Sequence, residues 1–245
     1  MPLQLEPVKD EGDFAEIARV LYTSFGEPYN SLRQWFIPIH TTVEAAMDEF
    51  SYRLVQSWKK NQSHVHWIKA VDTDDNNKII GVAEWEVRTE THNPDEPQEP
   101  IVAYWHLEGP RREFAGKLLT SLKGFMKARM TRPHIELEQL VVLPTHRGRG
   151  AGKMLTEWGV QMADELGIET CVESVPFAVP FYEKMGYGNV AGLDPEVKVD
   201  DAGEEWKEWA AEDLRVFLMW RPAGRDFRGG EDSLRGVSSS ATVSA

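Results

Sequence analysis

"HIELEQLVVLPTHRGRGAGKML", residues 134–155, decides how the rest of the chain is read. Its first half alternates and then becomes uniformly apolar, as a strand does when its far end is buried on both faces. Its second half packs glycines and arginines together at Arg147–Gly152. Leu155, Trp158, Met162, Ala163 and Leu166 then fall at helical spacing, and Gly167 is a suitable stop. A glycine loop between a buried strand and a helix start leaves amide N–H groups free to converge on an anion, at the positive end of the helix dipole. Gly148, Gly150 and Gly152 keep Cβ atoms out of the way. Arg147, Arg149 and Lys153 add charge, and arginine can fork onto phosphate.

Three ligand classes could use such a loop, besides a plain tight turn. A nucleotide-hydrolysing loop needs Ser or Thr after its lysine, and Met154 stands there. A dinucleotide fold needs G-x-G-x-x-G near its first strand, whereas this G-x-G-x-G lies past the chain's midpoint. The pyrophosphate of an acyl-carrier thioester, coenzyme A, meets neither objection.

Outward from this stretch, "LQLEPV" (3–8) reads as a strand and Phe14–Phe25 as a helix capped at Asp10 or Asp13. A second helix spans roughly 42–60 from Thr42. "HVHWIKAV" (64–71) and "IIGVAEWEV" (79–87) form a hairpin. Residues 89–100, with three prolines and four acids, form a surface loop that opens an insertion over about 89–133, with a helix at about 110–130. Strands follow at 170–175, from Gly186 and at 214–222, with a short helix at 178–185. This order predicts a single α/β domain over 1–222, a mixed sheet with helices on its faces. The Gly- and Ser-rich residues 223–245 read as a disordered tail.

The 245 residues carry a net charge of −13, which argues against nucleic acid as a partner. Residues 194–213 hold nine Asp or Glu against two Lys, a solvated segment or a rim that attracts cationic acceptors. No apolar run suits a membrane span and no leader is evident, so a cytoplasmic place is expected, with a nuclear one open. A lone Cys171 offers neither a disulfide nor a cysteine metal cluster, and its place in a buried strand argues against a cysteine nucleophile.

The segment "LVVLPTHRGRGAGKML" resembles the coenzyme A signature of the GNAT acetyltransferases, [QR]-x-x-G-x-[GA], through Arg147, Gly148, Arg149, Gly150, Ala151 and Gly152. A second signature, A-x-x-x-Y-x-x-x-G-[FY], is met by Ala178, Tyr182, Gly186 and Tyr187. The resemblance covers about 134–190. It implies a central, mostly antiparallel twisted sheet splayed at an acetyl-CoA site, with helices on both faces. It further implies pantetheine against the backbone of Leu140, Val141 and Val142, pyrophosphate over Arg147–Gly152 beside Lys153, and Tyr182 at the sulfur as proton donor. Val175 stands where the family often has asparagine, and Ser174 or Glu173 could compensate.

The implied reaction is direct transfer of acetyl from acetyl-CoA to an amine, in a ternary complex without metal. The partners are the thioester and an amine on a small molecule or peptide, with the enzyme a monomer or homodimer. A base is needed, because an amine is protonated at neutral pH. Glu136 and Glu138 are the first candidates, with Glu84 and Glu86 as rivals and His134 and His106 behind them. Tyr29 and Trp35 are candidates to line the acceptor pocket. A catalytically silent acyl-CoA-binding module and a transferase for a longer acyl group are the alternatives.

Overall fold

The computed structural model describes residues 2–234. Seven strands form one sheet: β1 (Leu3–Pro7), β2 (Val65–Asp72), β3 (Lys78–Arg88), β4 (His134–Val142), β5 (Glu169–Ser174), β6 (Gly188–Leu193) and β7 (Val216–Arg221). Their spatial order is β1-β2-β3-β4-β5-β7-β6, and every neighbouring pair is antiparallel except β4 with β5. This is the mixed, mostly antiparallel sheet that the sequence predicts.

Two helices from the first half, α1 (Phe14–Ser24) and α3 (Val43–Asn61), cover one face of the sheet's first half. Phe14, Ile17, Ala18 and Leu21 of α1, with Phe50 and Leu54 of α3, pack on Trp67, Val71 and Val82. Thr42 starts α3 by accepting a hydrogen bond from the Ala45 amide at 3.2 Å. The opposite face carries α5 (Ala151–Leu166) and α6 (Val179–Lys184), packed on Ala83, Trp85, Ile135, Leu137 and Val172. Gly159 lets α5 approach closely, because a Cβ there would overlap the Trp85 ring. The helix ends at Gly167, whose φ of +68° suits glycine.

The segment read as an insertion contributes to the core. Its helix α4 (Pro110–Arg129) buries Phe114, Leu118 and Leu122 beside α2 (Arg33–Phe36) and α7 (Glu204–Ala210). Its last turns, Phe125 and Met126, reach Cys171, Leu218 and Trp220 on the face of the sheet that α1 covers farther along. The part of the acidic segment around Trp206 is α7, as expected.

Residues 223–234 differ from the tail that composition predicts. The Phe227 amide donates to the Gly186 carbonyl at 2.9 Å, the Phe227 ring meets Trp220, and Leu234 is buried. Two apolar anchors in a Gly-rich strap have no periodicity, so pattern alone misses them. The rest of the expected tail, 235–245, lies outside the described residues. No described helix is long and apolar enough to cross a membrane.

Candidate active site

The site forms where β4 and β5 part. They pair over only four residues each, His134–Leu137 with Glu169–Val172, while β3 stays paired with β4 to Val142. A β-bulge marks the parting: Trp85 faces Leu137 and Glu84 faces Gln139, so Glu138 is the extra residue of β4. A bulge bends and twists its strand. The edge of β4 beyond it, including Leu140, Val141 and Val142, has no strand partner on the β5 side. It is therefore free to pair with an extended ligand.

The glycine loop closes the fork on the α5 side. Gly148 and Gly150 have φ of +74° and +97°, and nothing lies within 4 Å of a Cβ built on either. Met154 makes the first amide bond of α5, to the Gly150 carbonyl. Among the described residues, the amides of Gly148 to Lys153 have no protein acceptor. A Cβ built on Gly152 would touch Phe181 of α6 and Val142 of β4, so glycine loop, strand edge and α6 come together there.

The two arginines are placed otherwise than the sequence suggests. Arg147 donates to the carbonyls of Val142 at 3.1 Å and Ser24 at 3.2 Å, tying the loop to the end of α1. Arg149 pairs with Asp72 of β2 at 2.6 Å. Both tie the loop down, and Lys153 lies exposed beside its amides at 3.5 Å from Glu157.

Tyr182 lies on α6, 5% exposed, edge-on to Phe181 and Tyr187. Burial, then neighbouring Tyr187, pushes its phenol above the usual range. A phenol so raised stays protonated at neutral pH and has an O–H to donate. Ser174 is buried and its hydroxyl donates to the Val175 carbonyl, so it is not turned to the fork. Cys171 is buried and its thiol pKa is raised by that burial.

The opposite side of the fork, facing α1 and α4, is lined with charge. Glu138 accepts from Lys123 of α4 at 2.7 and 2.9 Å. Glu136, 4% exposed, accepts from Arg88 at 3.0 Å and lies 3.8 Å from Lys123. Glu86 accepts from Arg88 at 2.8 Å. Glu84 accepts from the Gln139 amide at 3.0 Å. On β5, one buried oxygen of Glu173 has no partner. Burial raises the pKa of Glu86, Glu136 and Glu173, the last well above its usual value. Burial, then Glu138, pushes Glu84 up to about 8. Glu138 is the exception: burial acts upward on it too, but Lys123 and Arg88 outweigh that and hold it low. His134 is pushed by burial down to about 4, and its ring meets the Arg132 carbonyl. His106 is buried against the Trp35 carbonyl. Neither histidine is placed at the fork.

Oxygens of Glu86, Glu136 and Glu138 lie within 4.8 Å of one another, a spacing that could suit a cation. Here Arg88 and Lys123 fill that role. Sequence reasoning missed both, along with Gln139. The alternation Glu84, Glu86, Arg88 against Glu136, Glu138 hinted at paired charges across two strands, but nothing in the sequence placed Lys123 over them.

The two acceptor-pocket candidates are not brought together. Tyr29 is 57% exposed on the loop after α1, where Ser31 bonds the Asp213 carbonyl and Gln34 bonds Glu212 at 2.9 Å. Trp35 has no exposure and stacks on Phe114 at 4.4 Å, so it is core and not a pocket wall. Residue type alone cannot distinguish these fates.

Several solved structures have similar folds. An arylalkylamine N-acetyltransferase like 5b of mosquito is 19% identical, with a TM-score of 0.60, over 89% of this chain and 98% of its own. The polyamine N-acetyltransferase of Drosophila melanogaster is 14% identical, with a TM-score of 0.58, over 89% and 97%. A structure described as histone acetyltransferase HPA2 and related acetyltransferase, from Corynebacterium glutamicum, is 18% identical, with a TM-score of 0.54, over 91% and 97%. A comparison with curated proteins finds no match. Residues 29–187, more than half of the chain, match the model of the Acetyltransferase (GNAT) family, and the chain belongs to that family.

Proposed function

We propose that this protein transfers acetyl from acetyl-CoA directly to an amine, in a ternary complex without a covalent enzyme intermediate. One observation carries the reading: the β4–β5 pairing stops after four residues, beside a helix start with unclaimed amides. An extended pantetheine can pair with the free edge at Leu140–Val142. The amides of Gly148, Arg149, Gly150, Ala151, Gly152 and Lys153 can take the pyrophosphate. The open space at Gly148 and Gly150 fits that group. Arg147 and Arg149 hold the loop in shape.

A thioester lying in the fork has Tyr182 on the α6 side and carboxylates on the other. The hydroxyl of Tyr182 would donate a hydrogen bond to the sulfur as negative charge develops on it. An amine acceptor is supported by the carboxylate-lined side, which attracts cations, and by fold similarity to the mosquito and Drosophila enzymes. Tyr29 is exposed on the loop after α1, and it would meet the acceptor there. A soluble cytoplasmic setting suits acetyl-CoA as co-substrate.

Calorimetric titration with acetyl-CoA tests the reading. Wild type should bind, and a Gly150→Asp, Gly152→Asp double variant should lose binding by tenfold or more, because its carboxylates repel the pyrophosphate and crowd the amides. Absence of binding to folded wild type would overturn the reading. Binding without release of free coenzyme A in the presence of any amine would identify a silent binding module instead.

A further inference from the structure

Four carboxylates line the acceptor side of the fork on β3 and β4, and they are not equivalent. Glu86, Glu136 and Glu138 are each held by Arg88, Lys123 or both. Glu84 is held only by the neutral amide of Gln139. It faces Gln139 in the register, immediately past the bulge and so at the mouth of the fork. Unlike Glu136, it is partly exposed. We propose that Glu84 on β3, rather than a carboxylate of β4, is the catalytic residue that takes the proton from the acceptor's ammonium group. This rests on the acetyltransferase reading above.

A carboxylate already paired with a guanidinium or a lysine has part of its charge offset and fewer lone pairs free for an incoming ammonium. Of the four, Glu84 alone has no cation paired with it, and it keeps one oxygen that the Gln139 amide does not take. Its surroundings also raise its proton affinity to near neutrality, which suits proton transfer from an amine. The charged groups that act on it are Glu86 from its own strand, Glu138 from β4 and Lys123 from α4. From β2 it meets Trp67, and α1 packs there with Phe14, Ile17 and Leu21. The one α1 carboxylate, Glu16, is turned to the Ile79 amide.

The step balances as follows. Glu84 carboxylate accepts one proton from R–NH3+, leaving R–NH2. The nitrogen lone pair forms the N–C bond to the acetyl carbon. The C–S bond breaks and its electron pair leaves on the sulfur of coenzyme A. A second nitrogen proton ends on that sulfur, and Glu84 returns its own proton to water.

The test uses the full chain, acetyl-CoA and two probe amines, phenethylamine and spermidine, with Glu84→Gln and Glu84→Asp. The expected result is a ~10²–10⁴-fold fall in kcat/KM for Glu84→Gln, with acetyl-CoA affinity within about twofold of wild type and partial recovery in Glu84→Asp. In wild type, kcat/KM should rise with pH through an apparent pKa near 8, and that limb should vanish in Glu84→Gln. Carboxyl-carbon NMR of glutamate-labelled protein gives a second readout: one resonance should titrate near that pH and be absent from Glu84→Gln. Should neither amine be acetylated, this titration decides. The inference falls if Glu84→Gln keeps activity within about threefold with its pH limb intact, or if no glutamate titrating near neutrality disappears with it. Failure of wild type to bind acetyl-CoA would instead strike the parent reading, whatever the NMR shows.

Discussion

Gly159 shows how one residue fixes an interface. It faces the ring of Trp85, whose indole N–H donates to the Leu155 carbonyl at 3.3 Å, so α5 sits against the sheet with no room for a methyl group. Gly159→Ala should cost about 1–3 kcal/mol by overpacking, read as a fall in Tm, despite alanine's better helix propensity. Trp35 and Tyr29 make a second contrast. Trp35→Ala should cost about 3–5 kcal/mol, measured as a shift in urea midpoint. Tyr29→Ala should leave the midpoint within about 0.5 kcal/mol and raise KM for the acceptor. A Tyr29→Ala variant with unchanged acceptor KM would remove that residue from the site.

At the scale of elements, α4 is the part of the chain that a minimal reading of the motifs leaves unexplained. It does two things. Phe114, Leu118 and Leu122 fill the core beside Trp35 and Trp206, and Lys123 enters the carboxylate cluster from above. Lys123→Met should destabilise the fold by on the order of 1 kcal/mol, because Glu138 loses its main cation while the 37% exposure of the lysine limits the penalty. The same change removes a cation that lowers the Glu84 pKa. The rise of kcat/KM with pH should therefore move to higher pH in Lys123→Met, and a pH–rate profile unmoved or moved downward would contradict the arrangement. The glycine loop is the other decisive element. Its arginines are committed to Val142, Ser24 and Asp72, so the proposed pyrophosphate contact falls to backbone amides, which no single side-chain truncation removes.

For the whole molecule, the carboxylate cluster sets a dependence of stability on pH. Glu84 has a folded pKa of about 8 against an ordinary 4.5. Below the lower value both states hold the proton. Between the two, the unfolded chain has released it and the native chain has not, so the native state binds more protons and stability falls as pH rises. Above the upper value the loss is complete. Glu84→Gln removes this penalty. Its urea midpoint should gain on that of wild type progressively from pH 5 to pH 9, and a constant difference across that range would place the Glu84 carboxyl in an ordinary environment.

What the sequence determined by itself is whatever is local and repeated. Period-two and period-3.6 patterns set the strands and helices, and the spacing of Arg147, Gly148, Gly150 and Gly152 between a buried strand and a helix set the cradle, because backbone conformation there depends on residues near in sequence. The family followed from that cradle and the later tyrosine motif. Tertiary structure alone decided what depends on distant partners. It placed Trp35 in the core and Tyr29 at the surface, turned Arg147 and Arg149 into loop straps, and docked Phe227 and Leu234 against the sheet. It also set the glutamates apart. Glu84, Glu86, Glu136 and Glu138 look alike in an alternating strand, and only the approach of Arg88 and of Lys123 from α4 claims three of them and leaves the fourth open. Proton affinity is a property of neighbours and burial, and those neighbours are brought together by folding.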